Sequence, residues 1–227
     1  MLLPIGDDNL ERGHSPVFSY LFIAVNIAVF IFQSSIPDAA QANLFVETWG
    51  AIPNEISRGI DLQTLFTSMF LHGSWLHLLG NMLYLWIFAD NIEGVIGNLR
   101  FVVFYLLGGL AAGIAQVVVD PYSGVPCVGA SGAIAAVMGA YIVMFPRSRV
   151  KMTFLFLLNF YVPAFLFLGF WMYQQLASGL EVLGMDATDA GGVAWWAHIG
   201  GFVYGLIAGF WFRNRHLDRH THRLRQA

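Results

Sequence analysis

Apolar residues run along this chain in long blocks separated by short polar connectors. Blocks of roughly 17–25 residues suit helices that cross a lipid core about 30 Å thick. Six such helices are predicted, at about 17–33, 73–89, 101–119, 131–145, somewhere within 152–178, and at 194–212. The fifth stretch is the longest. A straight helix from Met152 to Ser178 would measure about 40 Å at 1.5 Å per residue, more than the lipid core requires. Pro163 therefore either starts that span, leaving 152–160 at the interface, or kinks one tilted helix.

Composition agrees with the blocks. Hydrophobic residues make up 57% of the 227 positions, charged residues 11%, and the mean hydropathy is +0.64. The expected fold class is all-α, a polytopic membrane bundle of six transmembrane helices over 16–212. A cytoplasmic lead-in at 1–15 precedes it, and a basic cytoplasmic tail at 213–227 follows. No soluble domain of ordinary size fits beside such a bundle. The formal net charge of −3 gives no reason to expect nucleic acid as a partner. The one cysteine, Cys127, excludes an intrachain disulfide and reads as a small structural residue. The lead-in sets Asp7, Asp8 and Glu11 against Arg12 and lacks a basic n-region, so no signal peptide is expected. Pro16 suits the first turn of the helix that follows.

The basic residues orient the bundle. With the N-terminus inside, Arg12, Arg100, Arg147, Arg149, Lys151, Arg213, Arg215, Arg219, Arg223 and Arg225 all fall on inner segments, and Arg58 alone falls outside. That bias places both termini in the cytoplasm.

On this topology four polar residues share one depth near the outer face. Ser131 opens the fourth span within Gly129-Ala130-Ser131-Gly132, His198 lies one turn into the sixth, and His77 and Asn81 lie in the first two turns of the second. Taken singly, each has a plainer reading. Small residues let helices pack closely, and a histidine or asparagine can serve as an interhelical hydrogen-bonding group. Ionisable or reactive groups at shared depth in apolar helices point instead to function. A serine nucleophile with a histidine base is the pairing they offer. No acidic residue lies near that depth in spans two, four or six, so a dyad fits better than a triad with a carboxylate. His77 and Asn81, one helical turn apart, could both donate to a developing negative charge, together with the Ser131 backbone N–H at its helix start. Gly201, Gly205 and Gly209 on span six, and Gly132, Ala136 and Ala140 on span four, form facing small-residue stripes that would bring serine and imidazole within reach.

His77-x-x-x-Asn81, Gly129-x-Ser131-Gly132 and Ala197-His198-x-Gly200-Gly201 resemble, in order, the three signature motifs of the rhomboid intramembrane serine proteases. The resemblance covers about Pro16 to Arg215 and is to the basic six-span form of prokaryotes. It implies Ser131 as nucleophile, His198 as general base, and an oxyanion hole of His77, Asn81 and the Ser131 backbone. Gly129, Gly132, Gly200 and Gly201 would support the site, as would His72, a second histidine before the first motif. Glu93 with Gly97 resembles the family's Glu-x-x-x-Gly turn, with a structural role. The first outer loop departs from some members in having no Trp-Arg pair, since Trp49 and Arg58 stand apart. Leu44, Phe45, Val46 and Trp49 make that loop amphipathic enough to lie in the interface. The expected substrates are transmembrane proteins, cut near their extracytoplasmic end, and the expected setting is the lipid bilayer of a bacterial or archaeal plasma membrane.

The fifth span is rich in Phe165, Phe167, Phe170 and Trp171, with Pro163 and Gly169, and the connector Ser178–Gly192 holds Gly179, Gly184, Gly191 and Gly192, a glycine density that suggests mobility. The resemblance implies a lateral gate and a loop cap there, admitting a transmembrane substrate. The plainer reading is lipid-facing aromatics and an ordinary connector. No cofactor or metal is expected, because two histidines and an asparagine make a poor metal set. The tail histidines His216, His220 and His222, set among arginines, fit a membrane-proximal basic segment. A transporter would need broken helices in repeated halves, which the sequence lacks. A catalytically dead relative would lack the serine or the histidine, and both are here.

Overall fold

The computed structural model describes residues 2–8, 15–155, 157–183 and 192–226, and gives the backbone alone for Leu2 and for 215–226. After a strand β1 (Leu2–Asp7) comes helix α1 (Val17–Ser34), then three shorter helices, α2 (Ala39–Trp49), α3 (Pro53–Ile56) and α4 (Thr64–Thr67). Two long helices, α5 (Trp75–Ile96) and α6 (Asn98–Val119), lead to α7 (Ser131–Met144). Strands β2 (Arg149–Phe154) and β3 (Leu158–Pro163) separate α7 from α8 (Ala164–Glu181) and α9 (Trp195–Gln226). Helices α1 and α6 are long and apolar enough to cross a membrane, and α7 is a shorter apolar helix.

Helix α7 is the axis of the core. Every residue from Gly132 to Tyr141 is buried, as expected of a helix that is apolar on all sides. It packs against α9, α6 and α5, and its contact with α9 is made by backbones. A methyl group at Gly201 would strike the carbonyl of Gly132, one at Gly205 the carbonyl of Ala136, and one at Gly209 the backbone of Ala140. The small-residue stripes read from the sequence therefore face each other in register. Gly200, one position along, fits instead against Ala111, Ala112 and Ala115 of α6.

Glu93 closes the other end of the bundle. Its fully buried carboxylate accepts from the backbone N–H groups of Phe18 (3.0 Å) and Ser19 (2.8 Å) and from the Ser19 hydroxyl (2.6 Å). Those amides open α1 and have no partner within it, so α5 caps α1 across 74 residues of sequence. Gly97, at φ +85°, then lets the chain turn directly from α5 into α6.

The structure corrects two expectations. The chain is mostly helical rather than all-α, because β1, β2 and β3 form an antiparallel sheet in that order. Leu2–Asp7 is not simply part of a lead-in: Leu2 pairs with Phe154 and Asp7 with Val150. In the fifth apolar stretch, Arg149–Phe154 and Leu158–Pro163 pair as a hairpin, and Pro163, which has no N–H to give, stands immediately before the first residue of α8. Of the two readings of Pro163, the helix start is the one found. Glu11 and Arg12 lie outside the described residues.

Asp7 joins this sheet to the bundle. Its carboxylate accepts from the Tyr141 hydroxyl of α7 and from the Asn91 amide of α5 (2.9 Å), and Ser148 Oγ lies 2.9 Å from the same phenol oxygen. Burial, opposed by the Tyr141 bond and helped by nearby Asp90, pushes the Asp7 carboxyl up to about 7. The folded state thus holds a proton that the unfolded chain releases near pH 4, and stability from this group is present at low pH and lost as pH rises toward 7. Asp7→Asn, which keeps the shape and removes the charge, is expected to unfold at a higher temperature than wild type at pH 8. Near pH 4 the two should unfold together, as thermal melts across this range will show.

Candidate active site

Ser131 is the first residue of α7, and the loop leading to it is tied down on both sides. Ala51 and Cys127 exchange backbone hydrogen bonds (3.0 and 2.8 Å), and the Gly129 N–H donates to the Ser68 carbonyl (2.9 Å). Gly129 has φ +125°, a conformation that a side chain disfavours. Space forbids a side chain as well: a Cβ there would lie 2.8 Å from His77 Nε2 and 3.5 Å from Asn81 Nδ2. The signature glycine thus lets two α5 side chains reach the start of α7.

His198 lies in the first turn of α9. Its Nε2 is 2.8 Å from Ser131 Oγ, the distance of a hydrogen bond between hydroxyl and imidazole. Its other ring nitrogen, Nδ1, is 2.8 Å from Gln175 Oε1 on α8. Trp171 lies beside the ring, with centroids 5.8 Å apart, and Trp195 meets it edge-on at 6.2 Å. The start of α9 is also held from α6, where Gln116 Oε1 accepts from the Ala197 N–H at 3.3 Å. Neither glutamine stood out in the sequence. The signal available was a polar amide inside an apolar run, the criterion that selected His198 itself.

On α5, Ser74 caps the helix by accepting from the His77 N–H (3.1 Å), which fixes the first turn. His72, just before this helix, is fully buried and sits 2.9 Å from Asn81 through Nε2 and Nδ2. Burial, with His77 beside it, pushes the His72 imidazole down to about 4, so near neutral pH the ring is uncharged. Its Nε2 therefore accepts one amide hydrogen of Asn81 and leaves the other for the site. Gln33 of α1 holds the His72 backbone in turn, donating to its carbonyl at 2.8 Å.

These groups border a cavity of about 460 Å³ that reaches from α5 to α8. Ser131, His77, Asn81, His198, Trp171 and Gln175 are among the residues that line it. A second space of about 50 Å³ touches Ser131 from between α6, α7 and α9, enough for a water molecule. The sequence-predicted Ser131, His198, His77, Asn81, Gly129, Gly132, Gly201 and His72 are thus gathered around one point. Gly200 holds α9 to α6, and Glu93 sits away from the cavity at the start of α1. Of the glycines expected to loosen the connector, Gly184 and Gly191 lie outside the described residues, as do the side chains of His216, His220 and His222. Among the described residues, no cluster of three or more His, Cys, Asp or Glu has metal-binding geometry.

The Rhomboid domain family model matches residues 60–215. Over 197 residues, 87% of this chain, the sequence is 31% identical to rhomboid protease GluP of Bacillus subtilis. It is 27% identical over 82% of the chain to rhomboid protease GlpG of Yersinia enterocolitica. The mouse presenilin-associated rhomboid-like protein, mitochondrial, is 30% identical over 63% of the chain. The matches span 35%, 59% and 36% of those proteins' own lengths, less than two thirds in each case.

Gly129→Ala is expected to strain the backbone by about 1–3 kcal/mol and to push the His77 ring off the start of α7. A lowered unfolding midpoint, together with a shifted imidazole signal from His77 in NMR spectra, will check this.

Proposed function

This chain belongs to the rhomboid family, and from that premise we propose that it is an intramembrane serine endopeptidase working through Ser131 and His198. The observation that carries the reading is the 2.8 Å contact between Ser131 Oγ and His198 Nε2, made between two apolar helices beside a cavity. His198 Nε2 takes the hydroxyl proton as Oγ attacks the substrate carbonyl, then returns it to the leaving amine. Water next hydrolyses the acyl-enzyme, and the smaller space beside Ser131 offers it a place. The oxyanion is received by the Ser131 backbone N–H, unpaired at its helix start, and by His77 and Asn81. The Gly73 N–H faces His77 Nδ1, at 3.5 Å, which favours the tautomer with its hydrogen on Nε2. Gly132, Gly200 and Gly201 hold the helices at the spacing that this chemistry needs.

In the bilayer the six spans are α1, α5, α6, α7, α8 and the first part of α9, with both termini in the cytoplasm. Helix α8, with 18 residues, measures about 27 Å, close to the lipid core. The cytoplasmic face then carries Glu93, Asp7 and the three-stranded sheet, and the site opens toward the outer face. The residues of α2 are unburied, with Leu44 and Trp49 exposed, which suits a helix lying at the interface. The substrates are transmembrane proteins that enter between α5 and α8 and are cut near their extracytoplasmic end. The setting is a bacterial or archaeal plasma membrane, and the reaction uses neither cofactor nor metal.

Labelling with a fluorophosphonate tests the nucleophile directly. Wild type is expected to be labelled and to cleave a transmembrane substrate, while Ser131→Ala and His198→Ala stay folded and do neither. Mass spectrometry of the products should place the cut near the outer end of the substrate helix. Activity of Ser131→Ala near wild type would end this reading. Asn81→Ala is expected to lower kcat about 10²- to 10³-fold with little change in KM, as for the loss of one oxyanion donor. A loss confined to KM would assign Asn81 to substrate binding.

A further inference from the structure

An imidazole can act as a base toward Ser131 only while its Nε2 lone pair faces the hydroxyl, and the partner of Nδ1 decides that tautomer. In a neutral ring one nitrogen carries the hydrogen, so an acceptor at Nδ1 places the hydrogen there and leaves Nε2 free. That acceptor is Gln175 Oε1, at 2.8 Å. The amide is itself oriented, because Gln175 Nε2 donates to the Trp171 carbonyl one turn earlier (3.2 Å), which leaves its oxygen for the ring. Gln175 is 6% exposed, and Trp171, whose carbonyl it holds, lies beside the same imidazole.

We infer that Gln175 is a positioning residue that completes a Ser131–His198–Gln175 chain, doing with a neutral amide what a carboxylate does in a triad. It acts through His198 and makes no contact with substrate in this role. The inference rests on the serine endopeptidase reading above. It also places the orienting group on α8, a different element from those that carry Ser131 and His198 and one that borders the cavity between α5 and α8. Movement of α8 away from α9 separates Gln175 from the ring, so the helix beside the opening also sets the state of the base. Among the described residues, the titratable side chains lining the cavity with His198 are His77, Tyr84 and Cys127.

Two substitutions separate orientation from packing. Gln175→Met keeps the length of the side chain and loses the strong acceptor, whereas Gln175→Glu keeps the acceptor. For each purified variant, kcat and KM on a transmembrane substrate, the rate of fluorophosphonate labelling and the unfolding midpoint are measured. Gln175→Met is expected to lower kcat and the labelling rate together by about 10- to 100-fold, part of what a positioned base supplies. KM should stay within about twofold, and Gln175→Glu should recover most of the rate. Wild-type labelling by Gln175→Met overturns the inference, as does a Gln175→Glu protein as slow as Gln175→Met. If Gln175→Met does not fold, nitrogen-15 NMR of the wild-type protein decides, with the His198 signal assigned by its loss in His198→Ala. Hydrogen on Nδ1 is the expected result, and hydrogen on Nε2 overturns the role. A wild-type protein that fluorophosphonate does not label overturns the endopeptidase reading and this role with it.

Discussion

Everything in this structure depends on how closely α7 and α9 approach. Ser131 and His198 each sit in the first turn of its helix, so the spacing and rotation of these two helices decide whether hydroxyl and imidazole meet. Backbone contact at Gly201, Gly205 and Gly209 removes the layer of side chains between the two helices. In lipid no hydrophobic driving force favours one apolar pair over another, so complementary shape carries the association. The three glycines lie on one stripe of α9, which sets the rotation of the helix as well as its distance. A rotation of α9 large enough to turn His198 away would press a bulkier face against α7.

Polar satisfaction is the second organising principle. Several of the buried polar groups around the site are paired by residues far away in sequence. Gln33 of α1 holds the His72 backbone, Ser68 holds Gly129, Gln116 holds the start of α9, and Gln175 holds the ring of His198. Each bond links a different element to the candidate site. The low-dielectric surroundings make an unpaired group there costly, by about 1–3 kcal/mol for a neutral one. Such a network favours a single arrangement of the helices over slightly shifted ones.

The candidate site was more legible in the sequence than the scaffold. Ser131, His198, His77 and Asn81 stood out because a polar side chain in an apolar helix is conspicuous, and their helical spacing then put them at one depth. Gln116 and Gln175 meet the same criterion but, unlike Asn81, belong to none of the motifs, and so they were passed over. Facing stripes on α7 and α9 were legible because a four-residue repeat survives in sequence. Glu93 was noticed through its motif, yet its work, capping α1, joins segments 74 residues apart and leaves no local trace. The sheet was hidden for a related reason. Strand alternation in Arg149–Phe154 is only six residues long, and it borders an apolar run that reads as continuous helix. Its partner Leu2–Asp7 is equally short, is broken by Pro4 and Gly6, and lies 143–152 residues away along the chain.

The pairing of β1 with β2 also fixes an order of assembly. Leu2–Asp7 is made well before its partner strand, which is not complete until Phe154, and the Tyr141 hydroxyl that Asp7 engages comes only shortly before that strand. During synthesis the first strand must wait with its edge unpaired while α1, α5, α6 and α7 are placed. When it docks, it joins the segment before α1 to the end of α7 and the hairpin that leads into α8. The strand is thus a latch set by the ribosome's timetable, able to close only once the central helix of the bundle exists.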